Sequence, residues 1–350
     1  MRFLHPIILI FALAAPAFAW DAQGHRTITY LAFDGLPSDT PDWLRDSDTR
    51  NRAAFQSNGP DRWRGWGAPT LGHEHKPDHF LDIEDLAGFG LTLRTIPTFR
   101  QEYYRALAIS KYAHPEMAPS YDASEDSERT REWPGALPYA ILEEFVKLQS
   151  AFNDVRIIES LNDPARAHQL KQARETAIYH IGVLSHYVGD AAQPLHTTRH
   201  YNGWVGENPH GYTTDRGFHA MIDGDLLDMH GLTYEKLKPL MRYAARLNPM
   251  APWDAILDHI DRSHDQMEPL YKLEKSGELR EEAGRRFTIE RFESAASMLS
   301  AMIDQAWRSS APNNQQIAAF VKYNRFTPES VPIADRAPQV AAPHDAAGTR

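Results

Sequence analysis

Histidine and aspartate recur in this chain at spacings that put imidazole and carboxylate side by side. The most informative run is His186-Tyr-Val-Gly-Asp190-Ala-Ala-Gln-Pro-Leu-His196. His186 and Asp190 lie four residues apart at the end of a predicted helix, so both project from one face. Pro194 must break or kink that helix, which turns His196 toward a neighbouring centre. His219 and Asp223 repeat the four-residue spacing, His79 and Asp82 are three apart, and Asp61 supplies a loop carboxylate. A single His-x3-Asp pair is more often a hydrogen-bonded surface pair than a ligand pair, and most of the 17 histidines need be nothing more than polar residues. The number of such elements is what points to metal. Every donor is nitrogen or oxygen, and with no cysteine in the chain a thiolate site or a disulfide is excluded. Imidazole and carboxylate in small sets suit zinc, and manganese and iron also fit chemically.

A further nitrogen donor is implied at the front of the chain. Arg2, an apolar run from Pro6 to Ala14 and the small residues Ala17 and Ala19 form the pattern of a cleaved secretory leader over residues 1–19. The run is too short to span a bilayer, and no transmembrane segment is expected in the mature chain. Cleavage would expose the α-amine of Trp20, whose pKa of about 8 leaves enough neutral amine near pH 7 to bind a metal. His25 follows five residues later and can reach the same ion. The protein is therefore expected to be exported, to a periplasm or to the exterior. The net charge of −10 argues against a broad basic footprint for duplex nucleic acid, but not against a nuclease whose cations are local.

The elements that must position these residues read as helices, with little strand alternation. Helical spacing is found at Ala22–Phe33, Thr98–Tyr112 with Thr98 as its cap, Pro138–Phe152, Pro164–Asp190, Thr233–Leu247, Trp253–Lys275 and Arg285–Arg308. Ser57–Lys76, Ala113–Gly135 and Thr197–Arg216 read as irregular. The fold class is all-α: one multi-helix domain over 20–327 with long active-site loops, followed by a Pro/Ala-rich tail at 328–350 expected to be disordered.

Taken together these residues resemble the secreted zinc-dependent superfamily that joins single-strand-specific nucleases to bacterial phospholipases C. That family starts its mature chain with tryptophan, places Gly-His soon after, and carries a helix end of the form His-x3-Asp-x2-Gln-Pro-x-His. The resemblance runs in order from Trp20 to Asp223. It implies three zinc ions: one held by Asp61, His79, His186 and Asp190; a second by the Trp20 amine and carbonyl, His25 and a bridging Asp190; a third by His196, His219 and Asp223. It further implies that Asp82 orients or deprotonates the attacking water and that Arg64 neutralises phosphoryl charge, although a loop cation paired with a carboxylate explains Arg64 equally well.

The implied reaction is phosphodiester hydrolysis by zinc-activated water. A single-strand endonuclease with 3′-nucleotidase activity is favoured, because Trp20-Asp-x-x-Gly-His25 and His79-Phe-Leu-Asp82 have the nuclease spacing. Gly217-Phe218-His219 is closer to the phospholipase pattern, which keeps a phospholipid headgroup as the alternative substrate. A non-catalytic zinc-binding exported protein is the reading from another class. Tyr201, Trp204 and Tyr212 could stack on a base, flank a headgroup or pack the loop, and Trp63 and Trp66 raise the same question. No obligate protein partner is inferred.

Overall fold

The helix Ala167–Ala192 begins with one apolar face and ends with none exposed. Ala177, Ile178, Ile181, Leu184 and Val188 follow the helical period, and from Ile181 through Thr198 every residue is buried. A helix covered on all sides is the centre of a bundle. In this computed structural model, which describes residues 20–243, 247 and 251–323, the surrounding layer consists of Leu137–Leu161, Ser47–Gln56 and Glu282–Ser309, with Ala22–Asp34 closing against Glu282–Ser309 and Ser47–Gln56. The protein is all-α. Among the described residues the one β feature is an isolated antiparallel bridge between Leu81 and Gly135. The expected leader and the tail at 328–350 lie outside the described residues, and no described helix is long and apolar enough to cross a membrane.

The N-terminal helix is fixed at its start by Asp21, whose carboxylate accepts from the Gly24 amide at 2.8 Å. Trp20, immediately before it, is 1% exposed and meets the Phe292 ring edge-on at 4.6 Å. Trp20 is thus part of the main core.

Several elements differ from the sequence expectation for identifiable reasons. Thr233–Leu247 is not one helix: Tyr234–Leu237 gives way to a 3-10 turn at Lys238–Leu240, where Pro239 has no amide to continue an α-helix. Residues 244–246 of that expectation lie outside the described residues. Trp253–Lys275 is two helices, Pro252–His264 and Met267–Ser276, and Pro269 falls in the first turn of the second, where its missing amide costs nothing. The Arg100–Ala113 helix is preceded by Phe99 without a side-chain cap, so Thr98 is not its cap. Ser57–Lys76 contains two short helices, Gly59–Gly65 and Pro69–His75, both opened by proline. Residues 114–135 and 197–216 carry no helix, as expected.

Phe292→Ala should lower the unfolding free energy by about 3–5 kcal/mol, the usual cost of emptying an aromatic site in a packed core. Denaturant titration measures it, and Trp20 emission should shift in the folded baseline because its ring neighbour is gone.

Candidate metal centre

Three triads of buried ligand groups lie along the inner end of the central helix: Asp61, His79 and His186; His25, His186 and Asp190; and His196, His219 and Asp223, with the ligand atoms of each triad within 4.8 Å of one another. The first two share His186 and meet at Asp190. One Asp190 oxygen, Oδ2, faces His79 Nδ1 at 3.0 Å and His186 Nε2 at 3.4 Å; the other, Oδ1, faces His25 Nε2 at 3.4 Å. A carboxylate with one oxygen toward each triad has the disposition of a bridge. The third triad is separate, with His219 Nε2 2.8 Å from Asp223 Oδ2 and 3.0 Å from His196 Nε2.

Local backbone explains each placement. His186 and Asp190 lie on one helical face, as their spacing requires. The helix stops at Ala192, and a 3-10 turn at Pro194–His196 carries His196 out of the stripe and toward His219. His219 precedes a π turn at Met221–Asp225, an irregularity often found at functional sites, so this pair meets across a wider turn than its spacing suggests. Asp61, expected on a loop, sits in the first turn of Gly59–Gly65. Gly189 lets the His25 ring lie against the central helix, since a Cβ there would stand 3.0 Å from His25 Nδ1. Its carbonyl accepts from Trp20 Nε1 at 3.1 Å, and the Asp21 amide donates to the Asp223 carbonyl at 3.0 Å. Trp20 and Asp21 are therefore pinned between the first two triads and the third.

Outer hydrogen bonds choose the tautomers. His186 Nδ1–H donates to the Ser57 carbonyl at 2.7 Å and His196 Nδ1–H to the His79 carbonyl at 2.6 Å. That leaves each Nε2 lone pair pointing into its triad. His186 Nε2 then faces His79 Nδ1 at 3.0 Å. Asp190 Oδ1 and Asp223 Oδ2 are buried without a hydrogen bond. Gln193, part of the sequence motif but given no role there, donates from Nε2 to Asp223 Oδ1 at 2.6 Å and so orients that ligand.

Burial pushes the His186 imidazole down to about 3 and that of His79 well below its usual range, with Arg64 adding to the effect in both. His196 is likewise held neutral, first by burial and then by His219. Burial raises Asp190 well above the carboxylate range, and Asp61 raises it further. Neutral imidazoles and carboxylates short of a counter-charge form a donor set for a divalent cation, and the residues fit metal on these grounds.

A cleft opens over the triads, lined by His79, His196 and His219 and by Arg64, Lys76 and Arg131. Arg64 Nε donates to Asp61 Oδ1 at 2.7 Å, so it is both paired with a carboxylate and at the cleft. Asp82 is buried behind the cleft wall, with its amide donating to the Pro134 carbonyl at 2.6 Å and its Oδ1 without a hydrogen bond. Tyr201 lines the cleft. Trp204 and Tyr212 do not: Trp204 stacks on His200 at 4.0 Å, and Tyr212, 4% exposed, packs against Tyr271 in a second apolar cluster. Trp63 packs beside His75, and Trp66 stays exposed, away from this cleft. Phe80, Thr130, Arg131 and Asn202 also line it and were not singled out from sequence. No protein-family model matches this chain, and no curated protein matches it.

Two outcomes follow. Asp190→Asn should cut bound metal from three toward one per chain, whereas His219→Ala should remove only one, as read by elemental analysis of the dialysed proteins. Burial also raises Asp82 to about 8, with Arg131 pulling the other way. Between pH 4 and 8 the folded metal-free chain then holds a proton that the unfolded chain releases, so stability is lost as pH rises through 8. Asp82→Asn should raise the melting temperature of the metal-free protein at pH 8 and have little effect near pH 4.

Proposed function

We propose that the protein is an exported metal-dependent phosphodiesterase that hydrolyses single-stranded nucleic acid, with zinc as its metal and cleavage of the leader freeing the Trp20 amine. The observation that carries this proposal is a pair of buried triads that share His186, with Asp190 of one lying 3.0 Å from His79 of the other, beside a third triad. A purely structural metal site is normally closed by four protein ligands. Here the third triad offers three, and two of them, His196 and His219, line the cleft.

Paired divalent cations at such a site supply a water acidified toward neutrality and neutralise charge on the phosphoryl group. The chain's own residues do the rest. Asp190 holds the two inner triads in register, and Gln193 fixes Asp223 in the third. Arg64, braced by Asp61, places a guanidinium where negative charge accumulates in the transition state. Asp82, buried and coupled to Arg131 of the cleft, is the carboxyl poised to take up and return a proton near neutral pH.

Charge at the cleft favours nucleic acid over phospholipid. Despite the net charge of −10, three cations line this opening. A choline headgroup needs an aromatic cage open to a quaternary ammonium. The Phe80 and Tyr201 rings instead already hold the Arg131 guanidinium at 5.2 and 4.7 Å, and that charge would repel one.

The test is turnover by the protein beginning at Trp20 and loaded with zinc, offered single-stranded DNA, RNA and phosphatidylcholine. Nucleic-acid cleavage that falls at least about 100-fold in His186→Ala is the expected result. Lipid cleavage alone would replace the proposal with a phospholipase, and absence of turnover with metal firmly bound would replace it with a metal-binding protein.

A further inference from the structure

The three cations at the cleft are not equivalent. Arg64 is bonded to Asp61 and Lys76 to Glu128. Arg131 is held by ring faces, with its guanidinium carbon 5.2 Å from the Phe80 centroid and 4.7 Å from that of Tyr201. Among the described residues its guanidinium makes no ion pair, and Asp82 acts on it only from a longer range. Arg131 lines the cleft with its guanidinium accessible, and a guanidinium of that kind pairs readily with phosphate.

The segment that carries Arg131 is tied down rather than loose. Asp126 Oδ2 accepts from the Arg131 amide at 2.8 Å and from the Tyr121 hydroxyl at 3.2 Å. Gly135, at φ +103°, lets the segment run against residues 80–82, since a Cβ there would lie 2.2 Å from the Phe80 carbonyl oxygen. The Arg131 side chain is nonetheless exposed, so it reaches a ligand without unpacking the core.

Two aromatic rings and a cation therefore meet on the cleft wall, the kinds of group that take the bases and phosphates of a single strand. Arg64 already serves the position beside the inner triads. We infer that Arg131 binds a second, non-reacting phosphate of a nucleotide chain, and so makes the site selective for substrates with two or more phosphates over a lone phosphodiester. This rests on the phosphodiesterase proposal for the reacting phosphate.

Two measurements on the zinc-loaded protein test it. The first is fluorescence anisotropy with a phosphorothioate-linked oligothymidylate, over a series of salt concentrations, for wild type, Arg131→Ala, Arg131→Gln and Arg131→Lys. The second is kcat/KM for TpTpT against TpT. The neutral variants should raise the Kd about tenfold and flatten the slope of log affinity against log salt by about 0.7, the value for one single-strand phosphate contact. Lysine should recover part of the loss. The preference for TpTpT over TpT should fall about tenfold in Arg131→Ala. Unchanged binding, or equal losses on TpT and TpTpT, would overturn the inference even if cleavage is robust. If wild type cleaves neither substrate yet the neutral variants lose affinity and salt slope, the contact stands and the hydrolytic proposal fails. Melting curves from circular dichroism identify any variant that has lost its fold, and the remaining variants then decide.

Discussion

Asp190 is a carboxylate in the middle of a helix bundle, with its two oxygens turned toward different histidines. Removing a charged group from water without a partner is among the most unfavourable arrangements a fold can contain. Much of the local structure can be understood as a response to that constraint. His186 and His196 are held neutral, their Nδ1 atoms are committed to the carbonyls of Ser57 and His79, and Gly189 leaves room for His25 to approach. What these groups lack is positive charge. A divalent cation would meet that lack: it would offset the charge, and the cluster would supply its ligands. The apolar shell packed around the central helix keeps solvent from doing the same.

The sequence was most legible where chemistry and local geometry coincide. His186 and Asp190 share a face because a helix has 3.6 residues per turn, and Pro194 had to end that face before His196. The all-α class followed from the same periodicity. Helix ends were less legible, because proline can open a helix as readily as close one. Pro252 and Pro269 sit in first turns, and Pro239 marks the end of an α-helical stretch. The two short helices between Ser57 and Lys76 were hidden by glycine, proline and charged residues whose intrinsic preference is for turns, and packing overrides that preference.

Long-range pairings were beyond local reading. Tyr201, Trp204 and Tyr212 look alike as candidates for stacking, yet only Tyr201 lines the cleft, because Trp204 and Tyr212 are drawn into contacts with His200 and Tyr271. Arg131 carried no local mark. Its place depends on Gly135 bridging to Leu81 and on Asp126 organising the intervening turn, and neither pairing has a periodic signature. Arg64 shows a milder form of the difficulty. The carboxylate-paired cation and the cation at the cleft are the same residue, because Asp61 sits between the helix turn and the triad.

The anchoring of Trp20 has a consequence for assembly in time. Trp20 bonds to Gly189, 169 residues away, and packs against Phe292 in the helix Glu282–Ser309. Contacts at such separations carry a large loop-closure cost and form slowly compared with helix formation. The packing that seats Trp20 beside His25 therefore reaches its final form only once the helix Glu282–Ser309 has docked. The segment that leads into His25 thus settles late in folding, after the central helix that carries His186 and Asp190 has formed from local contacts.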